Sequence, residues 1–159
     1  RVGLPDVKMQ RYGPDTDSGT FDFFTEKIVG EAQASTSDYI ASADDNYLVK
    51  GVSSDKGSLG YFGYAYYVEN QDKLKVLGVD GGNGCVAPAP STIENSSYTP
   101  LSRPLFIYVN NKSFEREEVK AFVKYYLENA GNFTSEVGYV ALDDSAYEEN
   151  LKVFSGLTK

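Results

Sequence analysis

The stretch Tyr12-Gly13-Pro14-Asp15-Thr16-Asp17-Ser18-Gly19-Thr20-Phe21-Asp22-Phe23-Phe24 decides how this chain of 159 residues is read. Just before it, Val7-Lys8-Met9-Gln10-Arg11-Tyr12 alternates apolar and polar residues with the period of a half-buried strand, and Gly13-Pro14 is the expected end of that strand. Within it, small residues with side-chain acceptors lead into Phe21, Phe24 and then Ile28, spaced i, i+3, i+7, the apolar stripe of a helix that Gly30 stops. A strand, a tight Ser/Gly/Thr loop and a helix open an α/β unit. Ser18-Gly19-Thr20 at a helix start brings two hydroxyl donors and free backbone N–H groups to the positive end of a helix dipole, and Gly19 lets an anion approach the main chain. That suits a tetrahedral oxyanion. An ordinary helix cap is the commoner use of the same residue types.

Further along, residues 35–42 read as a short strand or loop. Asp44-Asp45 then precede Leu48, Val49 and Val52, a short helix with acid at its positive end. Asp55-Lys56-Gly57 is a turn. In Leu59-Gly60-Tyr61-Phe62-Gly63-Tyr64-Ala65-Tyr66-Tyr67 the small residues predict close backbone approach at Gly60 and Gly63, and the aromatics predict packing rather than a sugar or base platform. Leu74-Lys75-Val76-Leu77-Gly78-Val79 reads as a strand. Residues 81–104 carry Gly81, Gly82, Gly84, Pro88, Pro90, Pro100 and Pro104, the composition of a long connector with little regular structure. Leu105-Phe106-Ile107-Tyr108-Val109 follows as a strongly apolar strand. Ser113 is the expected cap of an amphipathic helix with Val119, Phe122, Val123, Tyr126, Leu127 and Ala130 on one face and Gly131 as its stop. Residues 137–142 are expected to be extended, and Asp143 or Asp144 caps a last helix with Tyr147, Leu151 and Phe154 at i, i+4, i+7. Strands alternating with helices give an α/β fold with a mostly parallel or mixed sheet, in two parts, 1–98 and 99–159.

Composition removes several functions. The absence of His excludes Ser-His-Asp or Cys-His catalysis and an HExxH metal site, and the lone Cys85 excludes an internal disulfide or a thiolate zinc cluster. With 15 Lys+Arg against 23 Asp+Glu the formal net charge is −8, which argues against a nucleic-acid partner. At 41% apolar and 24% charged the chain has the composition of a globular protein, and no apolar run approaches the roughly 18 residues of a membrane span. It begins at Arg1 with neither a leader-like pattern nor a lipidation signal, as a processed or truncated piece of a longer protein would. Asn95-Ser-Ser, Asn111-Lys-Ser and Asn132-Phe-Thr are formal sequons.

Asp15-Thr16-Asp17, followed by Gly and Thr, also resembles the first motif of haloacid-dehalogenase-type phosphatases, in which one Asp is the nucleophile and the Asp two residues on an acid/base. In that reading Asp15 attacks phosphorus and Asp143-Asp144 hold a metal. Against it, Gly13-Pro14 interrupts the strand that should deliver the nucleophile, and Ser18 is an extra residue before Gly19.

Over the whole length the blocks YGPDTDSGTFDFFTEKIVGE, SDYIASADDNYLVKGV, KGSLGYFGYAYYVEN, GGNGCVAP, YTPLSRPLFIYVNN, EEVKAFVKYYLENAG and VGYVAL resemble, in order, the phosphate-binding protein of the bacterial phosphate ABC transporter. The resemblance covers about the C-terminal half of a usual member. It implies a two-lobed periplasmic-binding-protein fold of type II, with residues 1–98 as lobe two and residues 99–159 as the crossover strand and C-terminal helices of lobe one. It implies a non-enzymatic, extracytoplasmic protein, periplasmic or lipid-anchored, that uses no cofactor. Its partners would be inorganic phosphate, a membrane permease and the missing N-terminal half. A sensor or adhesin built on the same lobes is the non-transport alternative. Ser18, Gly19 and Thr20 match the family's phosphate-holding triplet. Asp17 is assigned a supporting role beneath the loop. The family's arginine falls on Pro14 in some relatives and on Thr36 in others, which leaves Arg11 and Arg103 as substitutes nearest in sequence. Asp45 and Asn46 are expected to be caps.

Overall fold

The computed structural model describes residues 6–158, which fall into two units. One runs up to Ala87 and takes in Thr99–Leu101; the other comprises Pro88–Tyr98 and continues from Ser102.

The first unit is built on a parallel sheet. Strand β1 (Gln10–Pro14) lies between β2 (Ile40–Ser42) and β3 (Ser58–Gly60), with Tyr12 opposite both Ile40 and Gly60. The strand that Gly13-Pro14 were expected to end starts later than its alternating pattern, at Gln10, and does end at Pro14, with Gly13 paired to Ala41 and Pro14 to Ser42. Helix α1 (Gly19–Phe24) continues into a π-helical turn, Thr25–Val29, that Gly30 ends in the left-handed region at φ 91°. The buried Thr25 hydroxyl donates to Phe21 O at 2.8 Å and accepts from Gln33 N at 2.8 Å, so this side chain ties the turn to the loop that follows. Phe21 enters the core as expected. Ile28 does not, because the π turn rotates it off the stripe and leaves it 47% exposed.

Helix α2 (Asp45–Ser54) covers one face of the sheet through Leu48 and Val49, both buried. Its contact with the sheet is close: a Cβ on Gly51 would stand 2.2 Å from the Tyr12 ring, and one on Gly60 2.6 Å from Val52. At Gly63 the nearest atom is 3.5 Å away, so the predicted close approach holds for Gly60 and fails for Gly63. The aromatic run follows β3, with Tyr61 and Phe62 on irregular backbone and the rest in α3 (Tyr64–Val68). Of the strand expected at residues 74–79, only β4 (Val79–Asp80) forms, paired antiparallel with β5 (Cys85–Val86). Lys75, Leu77 and Gly78 are exposed, and too little is buried there to hold a longer ladder.

In the second unit the connector contains a helix, α4 (Pro90–Glu94), with Pro90 tolerated in its first turn. Residues 105–109 pair with no strand among the described residues, against expectation. Ser113 is not the cap of the long helix. Asn110 caps a 3-10 turn, Asn111–Glu115, by accepting from Lys112 N at 3.0 Å, and α5 (Glu117–Phe133) starts after it with no side-chain cap. Nor does Gly131 stop α5; it lets the helix approach Tyr147, whose ring is 3.2 Å from where a Cβ would lie. Asp143 caps α6 (Asp144–Leu157) by accepting from Ala146 N at 2.9 Å, and Phe154 is buried edge-on to Phe114 at 5.8 Å. Residues 137–142 form turn and irregular backbone.

Candidate functional site

In a parallel sheet every strand delivers its carboxyl end to the same edge, and ligands of open α/β sheets bind there. Here that edge holds Pro14, Ser42 and Gly60, followed by the loop at Asp15, the start of α2, and Tyr61.

The loop after β1 is shaped by its own polar groups. Asp15 Oδ1 accepts from Asp17 N and Asp15 O accepts from Ser18 N, both at 3.2 Å, which turns the chain out of the strand. Ser18 has the extended φ/ψ of an N-cap; its Oγ accepts from Thr20 N at 3.1 Å and its carbonyl accepts from Asp22 N at 3.1 Å. Both readings of Ser18-Gly19-Thr20 therefore apply together: the serine is a cap, and its hydroxyl hydrogen remains to be donated. Among the described residues no acceptor within the chain meets the Gly19 N–H, and Gly19 is exposed.

Two tyrosines hold this loop in place, and the sequence reading assigned neither to it individually. Tyr39 donates its hydroxyl to Pro14 O at 3.3 Å and lies parallel to Phe21, with ring centroids 6.3 Å apart. Tyr61 stacks on Phe24 at 3.8 Å, and its ring passes 2.6 Å from where a Cβ on Gly13 would be. The aromatic faces of α1 thus bear on the end of β1 through these two rings. Burial, then the Asp15 carboxylate, pushes the Tyr39 phenol above its ordinary range; burial, then Tyr39, pushes Tyr61 up to about 12.

The remaining expected residues stand as follows. The carboxylate that accepts a loop N–H is that of Asp15, while Asp17 is exposed; the supporting position given to Asp17 is filled by its neighbour, because an Asp at the first turn position bonds two residues ahead. Thr36 is exposed and its Oγ1 accepts from Asp38 N at 3.1 Å. Arg11 is engaged by Asp38 at 2.5 Å, so its charge is already offset; its Nε and Asp22 Oδ1 are buried with no hydrogen-bond partner among the described residues. Arg103 is exposed. Asp44 caps α2 by accepting from Asn46 N at 2.9 Å, and Asp45 lies in the first turn, its carboxyl pushed up by burial and then by Asp44. Among the described residues no group of three or more Cys, Asp or Glu could hold a metal ion.

A parallel β-α-β sheet with a capped hydroxyl loop at its carboxyl edge is the arrangement of an open α/β ligand-binding domain. Residues 2–130 match the model of the PBP superfamily domain, and the chain belongs to that superfamily. It is 51% identical over 148 residues to Protein SphX of Synechocystis sp. and 39% identical over 149 residues to the phosphate-binding protein PstS of Staphylococcus aureus, in each case over 92% of this chain. The chain spans 44% of the length of these curated relatives. The crystal structure of a possible phosphate binding protein from Planctomyces limnophilus superposes with a TM-score of 0.81 at 44% identity, covering all of this chain and 57% of that one. PstS from Borrelia burgdorferi, at 22% identity and a TM-score of 0.60 over 89% of this chain, shares the fold.

Proposed function

We propose that the protein of which this chain forms part is an extracytoplasmic, non-enzymatic binding protein for inorganic phosphate that delivers it to a membrane ABC permease. The observation that carries this reading is the loop at the carboxyl edge of the sheet, where Ser18 caps α1 through Thr20 N and the exposed Gly19 follows it, so that two hydroxyl residues and a Gly N–H succeed one another at the helix start. Phosphate accepts from all three, in charge-assisted bonds of the stronger class. The printed names of the relatives support the choice of phosphate among oxyanions. Thr36 is assigned a supporting role beside the ligand, and the loop support first given to Asp17 passes to Asp15. Residues 1–98 are assigned to one lobe and 99–159 to the returning part of the other, so that phosphate is held between lobes, and closure on it is the signal that the permease reads.

Calorimetry on the whole-length protein tests this. Phosphate should give heat and sulfate much less. Losing two charge-assisted bonds at about 1.5–3 kcal/mol each makes Ser18→Ala with Thr20→Ala weaken phosphate on the order of a hundred-fold or more. Unchanged affinity in the double variant would put the site elsewhere. Magnesium-dependent hydrolysis of a phosphate ester that Asp15→Asn abolishes would replace binding with catalysis.

A further inference from the structure

Asn83-Gly84 is the one Asn-Gly pair in the sequence, and it lies in the loop that joins β4 to β5. Such a pair carries its own chemistry. Glycine puts no side chain in the way of its backbone nitrogen, so that nitrogen can attack the carboxamide carbon of the preceding asparagine. The new N–C bond closes a succinimide ring, and the displaced amide nitrogen leaves as ammonia with the proton of the attacking N–H. Water then opens the ring at one carbonyl or the other, giving aspartate or isoaspartate. No oxidant or reductant is needed.

The tip of this loop is open. Asn83 is exposed, and a Cβ on Gly82 or Gly84 would meet nothing within 4 Å among the described residues. Its base is fixed, because a Cβ on Gly81 would collide with Thr99. The nitrogen that must attack is held: Asp80 Oδ1 accepts from Gly84 N at 2.9 Å and from Gly82 N at 2.8 Å, with Gly84 at φ 96°. A carboxylate in that position keeps the proton on the nitrogen, and its charge opposes the nitrogen anion that the attack requires.

We infer that Asn83 is a site of spontaneous conversion to aspartate and isoaspartate, and that the Asp80 carboxylate, by holding the Gly84 N–H, sets the rate. The reaction proceeds when the loop opens. A ladder of only two residues on each strand gives that opening little resistance. Isoaspartate lengthens the main chain between Asp80 and Cys85, which face each other across the ladder, so conversion also undoes their pairing. The inference is independent of phosphate and of the loop at Ser18.

The test incubates the whole-length protein in warm, mildly alkaline buffer and follows the mass of the peptide that contains Asn83, with fragmentation to assign the residue. Conversion of Asn83 raises the mass as amide becomes acid, whereas isomerisation at Asp80-Gly81 leaves it unchanged, so the two are kept apart. Asp80→Ala removes a hydrogen bond to a charged group and should convert Asn83 about ten-fold or more faster than the native protein. Exchange of the Gly84 amide hydrogen should quicken with it. Asp80 is exposed, so the substitution leaves the fold in place. In strong urea the two proteins should convert alike, because the loop that distinguishes them is gone. Equal rates in the folded proteins, unchanged Gly84 exchange, or a difference that persists in urea would each overturn the guarding role. No mass gain at Asn83 in any sample would overturn the site itself.

Discussion

Gly13 shows how one residue couples the fold to the loop. It reads in the sequence as the end of a strand and it lies in the closing pair of β1, and a reason for glycine there is on a different element: the Tyr61 ring occupies the space a Cβ would need. That ring is stacked on Phe24 and has little freedom to retreat. Gly13→Ala should therefore cost about 1–3 kcal/mol, as overpacking does, lowering the urea midpoint, whereas Gly63→Ala, with 3.5 Å of clearance, should leave it unchanged within about 0.5 kcal/mol. Caps were partly legible at this scale. Asp143 was one of two expected candidates, and Ser18 was an expected cap, because both are local pairings of a side chain with an N–H two or three residues on. Ser113 misled because Asn110 offers the same chemistry three residues earlier and starts a 3-10 turn first.

Among elements, α1 depends on its aromatic supports, and these give it a pH signature. The folded state holds the Tyr61 phenol at about 12 against an ordinary 10, with burial as the main cause. The unfolded chain loses that proton first, so stability is fully present below pH 10, declines as pH rises beyond it, and has lost this contribution once pH passes about 12. Tyr61→Phe should flatten the decline, measured as urea midpoints between pH 9 and 12. The Asp143 carboxyl works in the opposite sense. Hydrogen bonds from Ser145 and then Ala146 hold it below its usual range, so its support for α6 is present above the ordinary carboxylate pKa and fades as pH falls through the depressed one. Helices were better read than strands. The stripes of α2 and α6 are local patterns with their own caps, and Leu48, Val49 and Phe154 are buried as expected. Residues 74–79 and 105–109 have strand composition, but a strand exists only when another backbone lies alongside.

For the whole molecule, net charge and exposed apolar surface oppose each other. At pH 7 a charge of −8 keeps copies apart despite exposed side chains such as Phe106 and Phe122. Near the sequence pI of about 4.5 that repulsion vanishes, and light scattering should show the apparent mass rising steadily from pH 7 to pH 4.5. The sequence alone determined the α/β class, the exclusion of histidine chemistry, the loop at Ser18-Gly19-Thr20 and the family resemblance, all of which rest on residue identity, short-range spacing and order along the chain. Only the tertiary structure decided that Asp15 rather than Asp17 turns the loop, that Tyr39 and Tyr61 support it, that Asp38 engages Arg11, and that residues 105–109 pair with no strand among the described residues. Choosing Asp15 over Asp17 was a matter of one hydrogen bond between two like residues of one turn; the others are relations between segments far apart in sequence, and no local pattern encodes which groups the fold will bring together.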